Sequence, residues 1–157
     1  RLGRELRIPR SRAQDYMDRY FARYPQVAKF MESAKEDARE KGYAETLWGR
    51  RRELHGLKAA KRVEREAAER IAINTPVQGA AADLIKAAMI DVHRLLQERF
   101  PHTRLLLQVH DELVLEVPVE HLDAVRVAVE DKMVNVVNLI VPLCVESGDG
   151  ETWDAAH

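Results

Sequence analysis

The chain has 157 residues, 46% hydrophobic and 32% charged, with one cysteine and a formal net charge of -1. That length suits one ordinary globular domain with a sizeable core. No apolar run reaches the ~20 residues that span a bilayer, and a single cysteine leaves neither an internal disulfide nor a zinc cluster, which fits a reducing compartment. The near-neutral charge hides a split. Residues 1–70 hold 19 Lys+Arg against 12 Asp+Glu, a net of +7, and residues 71–157 hold 6 against 14, a net of -8. This asymmetry fits one surface for an anionic partner and another that holds cations, and equally a set of solvated helix faces. No signal peptide is visible, and an opening at Arg1 without Met suggests a piece of something longer.

The first half reads as helical. Ser11-Arg12-Ala13-Gln14 has the form of a capping box, so a helix is expected from there to about Arg23, burying Tyr16, Met17, Tyr20 and Phe21. Pro25 suits the first turn of a second helix. Val27, Phe30, Met31, Ala34 and Ala38 then recur at helical spacing, and Gly42 supplies the stop. A small hairpin is expected around Trp48-Gly49. A long helix follows from about Ala59 to Arg99, kinked at Pro76, because proline removes a backbone hydrogen bond and clashes with the preceding turn.

The pattern changes at Arg104. Leu105–Val109 and Leu113–Val117 are short apolar runs separated by His110-Asp111-Glu112, which predicts an antiparallel hairpin. Leu122, Val125, Val129 and Met133 restore the helical period. Leu143 to Ser147 reads as a last strand after Pro142, with Cys144 in its apolar run as a core residue. The fold class is α+β, helices packed on a short antiparallel sheet.

Three clusters could carry chemistry. Asp111 and Glu112 are adjacent carboxylates brought to the end of two apolar strands, where they repel each other and gain nothing from the core. Carboxylate oxygens suit hard cations such as Mg²⁺, and a hairpin fixes its tip rigidly; a solvated acidic turn is the competing reading. Arg70, Asn74 and Gln78 follow at four-residue spacing, spanning about 12 Å of helix. All three donate hydrogen bonds. The DNA minor groove presents acceptors at every base pair, so such a row tests duplex shape without reading sequence; a polar stripe on an amphipathic helix is the alternative. Arg50, Arg51 and Arg52 follow a glycine turn and could clamp phosphates, although arginine triplets on solvated surfaces are common.

Together these segments resemble the C-terminal fingers-and-palm part of bacterial DNA polymerase I, the family A polymerases. The resemblance rests on Leu107-Gln108-Val109-His110-Asp111-Glu112-Leu113-Val114, similar to palm motif C, and on the run from Ala67 to Asp83 that includes Arg70, Asn74, Pro76 and Gln78. Glu45–Arg51, Tyr16–Phe21 with Tyr24-Pro25, and Gly150–Asp154 support it, in the right order along the whole chain. Two departures are local: Glu53–Leu57 replaces a stretch that usually carries a Pro-Asp turn, and Ser147 stands where an aliphatic residue is more usual.

The resemblance implies a DNA-directed DNA polymerase that adds deoxynucleotides to a primer 3′ end with two Mg²⁺ ions. Asp111 matches the metal-binding aspartate and Glu112 the neighbouring catalytic carboxylate. His110 matches the residue beside the primer terminus. Arg70, Asn74 and Gln78 match helix residues on the primer–template, and Arg50 and Arg51 match basic residues beside the duplex. It further implies residues 1–58 as a fingers portion and 59–157 as a palm portion, with primer–template DNA and deoxynucleoside triphosphates as partners. No membrane association and no obligate protein partner are expected, and a cytoplasmic, nucleoid-associated bacterial setting is. The family's motif A aspartate and its nucleotide-binding fingers helix are not found in this sequence, so the chain alone is expected to be inactive. A metal-dependent nuclease and a non-catalytic DNA-binding module are the two alternatives.

Overall fold

Pro9 sets the entry of the first long helix. Its extended backbone (φ -56°, ψ 149°) leads into α2 (Arg10–Arg23), and its carbonyl accepts the first helical bond from Ala13 at 3.0 Å. The helix therefore starts before Ser11, without a side-chain cap, and the expected capping box does not form. The computed structural model describes residues 2–156; Arg1, at which the chain opens, and His157 lie outside the described residues. Two compact units are present, Arg1–Val77 and Gln78–His157.

In the first unit, a short α1 (Leu2–Glu5) precedes α2, and α3 (Pro25–Lys41) follows it. Gly42 ends α3 in the left-handed conformation at φ 83°, where a side chain would be strained, and its N–H bonds the Ala38 carbonyl. The expected hairpin forms from β1 (Tyr43–Glu45) and β2 (Arg51–Glu53), with Gly49 at φ 82° in the connection. Helix α4 (Arg62–Asn74) begins three residues later than the sequence suggests. Arg65 explains the delay: its guanidinium donates to the Ala59 and Ala60 carbonyls at 2.8 and 2.7 Å, holding them out of the helix.

The core of this unit is built from small residues, Ala38, Ala44, Ala68 and Ala72, closed by Leu54 and Leu57. Ala72 is wholly buried, so Ala72→Leu has no room and is expected to lower stability by about 1–3 kcal/mol, read as a reduced Tm. The aromatic residues of α2 behave otherwise than expected. Ala13 is the buried residue of that helix, while Tyr16, Met17 and Tyr20 stay exposed, because small residues fill the contacts and leave no cavity for a ring. At the start of α4, Arg62 and Glu66 pair at 2.6 Å, and this hydrogen bond and its charge lower the Glu66 pKa and raise that of Arg62. A lowered folded-state pKa contributes stability above the ordinary carboxylate range that is lost as pH falls through the folded value. Protection of the amides in this turn, corrected for their intrinsic exchange rate, is therefore expected to fall on acidification, and Glu66→Gln to abolish that pH dependence.

Pro76 is accommodated in a π-turn, Thr75–Gly79, between α4 and α5 (Ala80–Arg99). The buried Thr75 hydroxyl donates to the Ile71 carbonyl at 2.7 Å. The expected proline irregularity thus takes the form of one widened turn.

In the second unit, α5 leads to the hairpin of β3 (Arg104–Val109) and β4 (Glu112–Glu116), then to α6 (Leu122–Val134). Val92, Leu95, Leu96 and Phe100 of the α5 end pack on Val125 and Val129, with Leu105, Leu113 and Leu115 of the hairpin against them. The pairing steps from Leu105↔Leu115 to Leu107↔Val114, which leaves Leu106 as an extra residue in a β-bulge. Past the bulge the faces exchange: Gln108 rather than Leu107 lies opposite the core residue Leu113.

The expected strand at Leu143–Ser147 does not form. No neighbouring edge pairs with it among the described residues. Side chains fasten the segment to α6 instead, Ser147 donating to Glu130 and Arg126 pairing with Asp149. Without a ladder or a covering layer, Cys144 is exposed rather than part of the core. Helices with two small antiparallel sheets make the fold α+β, and none of its described helices is long and apolar enough to cross a membrane.

Candidate functional site

The hairpin of the second unit turns in two residues, His110 and Asp111, because Val109 pairs with Glu112. The sequence suggests a three-residue separator; the structure makes Glu112 the first residue of β4. Such tight turns require left-handed backbone, and His110 supplies it at φ 52°. For a residue with a Cβ this conformation costs of order 1–3 kcal/mol, and strain of this kind gathers at functional sites. Gln108 helps hold it: its side-chain amide donates to the His110 carbonyl across the turn. Gln108 lies inside the motif, but nothing in its spacing marks it as a brace.

Asp111 and Glu112 follow directly, both exposed, one in the turn and one at the start of the ladder. Their donor chemistry fits Mg²⁺, which typically takes one or two carboxylates and completes its shell with water and substrate phosphates. Among the described residues no group of three or more His, Cys, Asp or Glu gathers as a metal cage. The turn and the start of β4 present two adjacent exposed carboxylates.

In the first unit, Arg70 and Asn74 are exposed four residues apart on α4, with the buried Ala68 and Ala72 on the opposite side. Gln78, in the second unit, is exposed within the π-turn. Of the three arginines of the small hairpin, Arg50 and Arg51 are the candidates for binding. The Arg51 guanidinium stands 4.6 Å from the Tyr43 ring and 3.5 Å from a Glu45 carboxylate oxygen, so part of its binding capacity is already engaged. Arg50 precedes β2, its backbone N–H bonded to the Thr46 hydroxyl at 3.2 Å, and its side chain is exposed.

The second unit thus presents two adjacent carboxylates at a strained, braced turn, and the first presents Arg70 and Asn74 on one face of a helix. Residues 1–155 match the model of DNA polymerase family A, and the chain belongs to that family. It is 47% identical over 156 residues to DNA polymerase I of Pseudomonas aeruginosa and 49% identical over 156 residues to thermostable DNA polymerase I of Thermus aquaticus. Each match covers 99% of this chain but only 17% and 18% of those proteins. The polymerase domain of Pol1 from M. smegmatis, solved in complex with DNA primer–template and dNTP, superposes with a TM-score of 0.94 at 42% identity, covering 99% of this chain and 27% of that one.

Proposed function

We propose that this chain is the fingers-and-palm segment of a template-directed DNA polymerase, with residues 1–58 in the fingers and 59–157 in the palm. Asp111 holds a catalytic Mg²⁺ and Glu112 completes the local carboxylate pair. The single observation that carries this reading is the placement of Asp111 in a two-residue turn whose backbone is strained and braced, with Glu112 directly after it at the start of β4. Two Mg²⁺ ions, when bound, activate the primer 3′-oxygen and stabilise the charge that develops on the transferring phosphate. The residues of this chain supply the rest by position. His110 sits beside the primer terminus because the turn places it next to Asp111. Arg70, Asn74 and Gln78 donate to minor-groove acceptors present in every sequence, which holds a duplex of correct shape without selecting its bases. Arg50 contacts the phosphate backbone, and Arg51 does so with the part of its guanidinium not turned to Tyr43 and Glu45. The similar M. smegmatis domain, described with primer–template and dNTP, supports both as the partners here. The bacterial origin of the similar polymerases supports a cytoplasmic setting at the nucleoid.

The reading also assigns the second metal-binding aspartate and the nucleotide-binding helix to parts of the polymerase outside this segment. The isolated chain is therefore expected to give no templated primer extension with Mg²⁺ and all four dNTPs. Extension by the chain alone would contradict that division. Hydrolysis of DNA without added nucleotides would replace the polymerase reading with a nuclease.

A further inference from the structure

We propose that α2 and the residue that caps it carry a stacking platform for single-stranded nucleic acid, formed by Tyr16, Tyr20 and Tyr24 and edged by Arg12, Arg19 and Arg23. The three tyrosines are 44%, 49% and 52% exposed. Tyr16 and Tyr20 lie four residues apart on α2, about 6 Å along its axis, and Tyr24 follows as the residue that caps its C-terminal end. Tyr20 and Tyr24 already lie together, with ring centres 5.1 Å apart and planes tilted by 51°, and the Arg12 guanidinium stands 6.0 Å from the Tyr16 ring centre.

The charges are sorted around this stripe. At about 100° per residue, Arg12, Arg19 and Arg23 fall along one edge of it, with Asp15 just beyond that edge and Asp18 on the far side of the helix. Asp18 there accepts a hydrogen bond from Gln14 at 2.9 Å. Among the described residues, the ion pairs that form leave Arg12, Arg19 and Arg23 without a carboxylate partner. Aromatic faces beside unpaired arginines are what a single strand needs, bases on the rings and phosphates on the guanidinium groups. A paired duplex hides its base faces in its own stack and gains only the charge contacts. The platform has no residue in common with the hairpin turn or the donor row, and shares with them only that the ligand is nucleic acid.

The test is fluorescence anisotropy of the 157-residue chain with a labelled oligothymidylate of about 12 nucleotides, and in parallel with a duplex of equal length. The single strand is expected to bind, and Tyr16→Ala/Tyr20→Ala to weaken it at least about tenfold while duplex affinity changes less than about threefold. Tyr16→Leu/Tyr20→Leu keeps apolar bulk without a π-face and is expected to lose as much, whereas Tyr16→Phe/Tyr20→Phe keeps the affinity. Arg19→Gln/Arg23→Gln is expected to weaken binding and flatten its salt dependence. Failure of the wild-type chain to bind the single strand overturns the proposal. So does full affinity in the leucine variant, which would show that the rings do not stack on the bases. Either result leaves duplex binding through Arg70, Asn74 and Gln78 as a separate measurement.

Discussion

Asp111→Asn in a polymerase containing this segment is expected to lower templated nucleotide addition at least roughly 10³-fold. The substitution keeps the size and shape of the turn residue and removes its charge. A metal ion supplies several kcal/mol of charge stabilisation in phosphoryl transfer, and each ~1.4 kcal/mol lost is tenfold in rate. Because Asp111 is exposed at the turn, the fold and the affinity for primer–template should change little. Single-turnover extension measured beside DNA affinity separates the two effects. Survival of extension would remove Asp111 from the metal site. A parallel fall in DNA affinity would make it a binding residue instead.

The largest stability effect is expected at the end of α5. Leu96 is 3% exposed and packs among Val92, Leu95, Phe100, Val125 and Val129. Leu96→Ala removes its buried methyl groups and leaves a cavity, a loss of about 2–5 kcal/mol. The same residues support the hairpin through Leu105, Leu113 and Leu115, so the loss should reach the carboxylate turn as well. Denaturant unfolding of this chain measures it, and amide exchange at Val109 and Glu112 should quicken in the variant. A change below about 1 kcal/mol would mean that this cluster does not hold the second unit together.

How much of this was legible in the sequence follows from the range of each cause. Local signals read correctly: Pro25 and Gly42 bound α3, the two hairpins fall where glycine and short apolar runs place them, and Val125 and Val129 mark the buried face of α6. Each of these depends on neighbours a few residues away. Burial does not. Tyr16 and Tyr20 have the spacing of a core stripe, yet whether a ring is covered depends on what packs opposite, and alanine fills that role on α2 and α4. The strand expected at Leu143–Ser147 failed for a related reason, since a strand exists only where another edge pairs with it.

At the candidate site the identities of the residues were legible and their mounting was not. Asp111 and Glu112 stand out as paired charges between apolar runs. The bulge at Leu106 carries no local signature, because one leucine among three gives no sign of which will be unpaired. It nevertheless decides the register, and with it the two-residue turn that gives His110 its positive φ. The π-turn is an intermediate case. Pro76 announces an irregularity, but only the buried Thr75 bond to Ile71 shows how the helix absorbs it.

The claim that joins these pieces is that the chain grips a primer–template by shape. Its most direct measurement is the affinity of the 157-residue chain for primer–template duplexes of unrelated sequence, with and without Arg70→Ala/Asn74→Ala/Gln78→Ala. Three hydrogen bonds worth about 1 kcal/mol each amount to roughly 100-fold, and the loss should be equal for every sequence. Unchanged affinity in the triple variant, or a loss confined to one sequence, would contradict it.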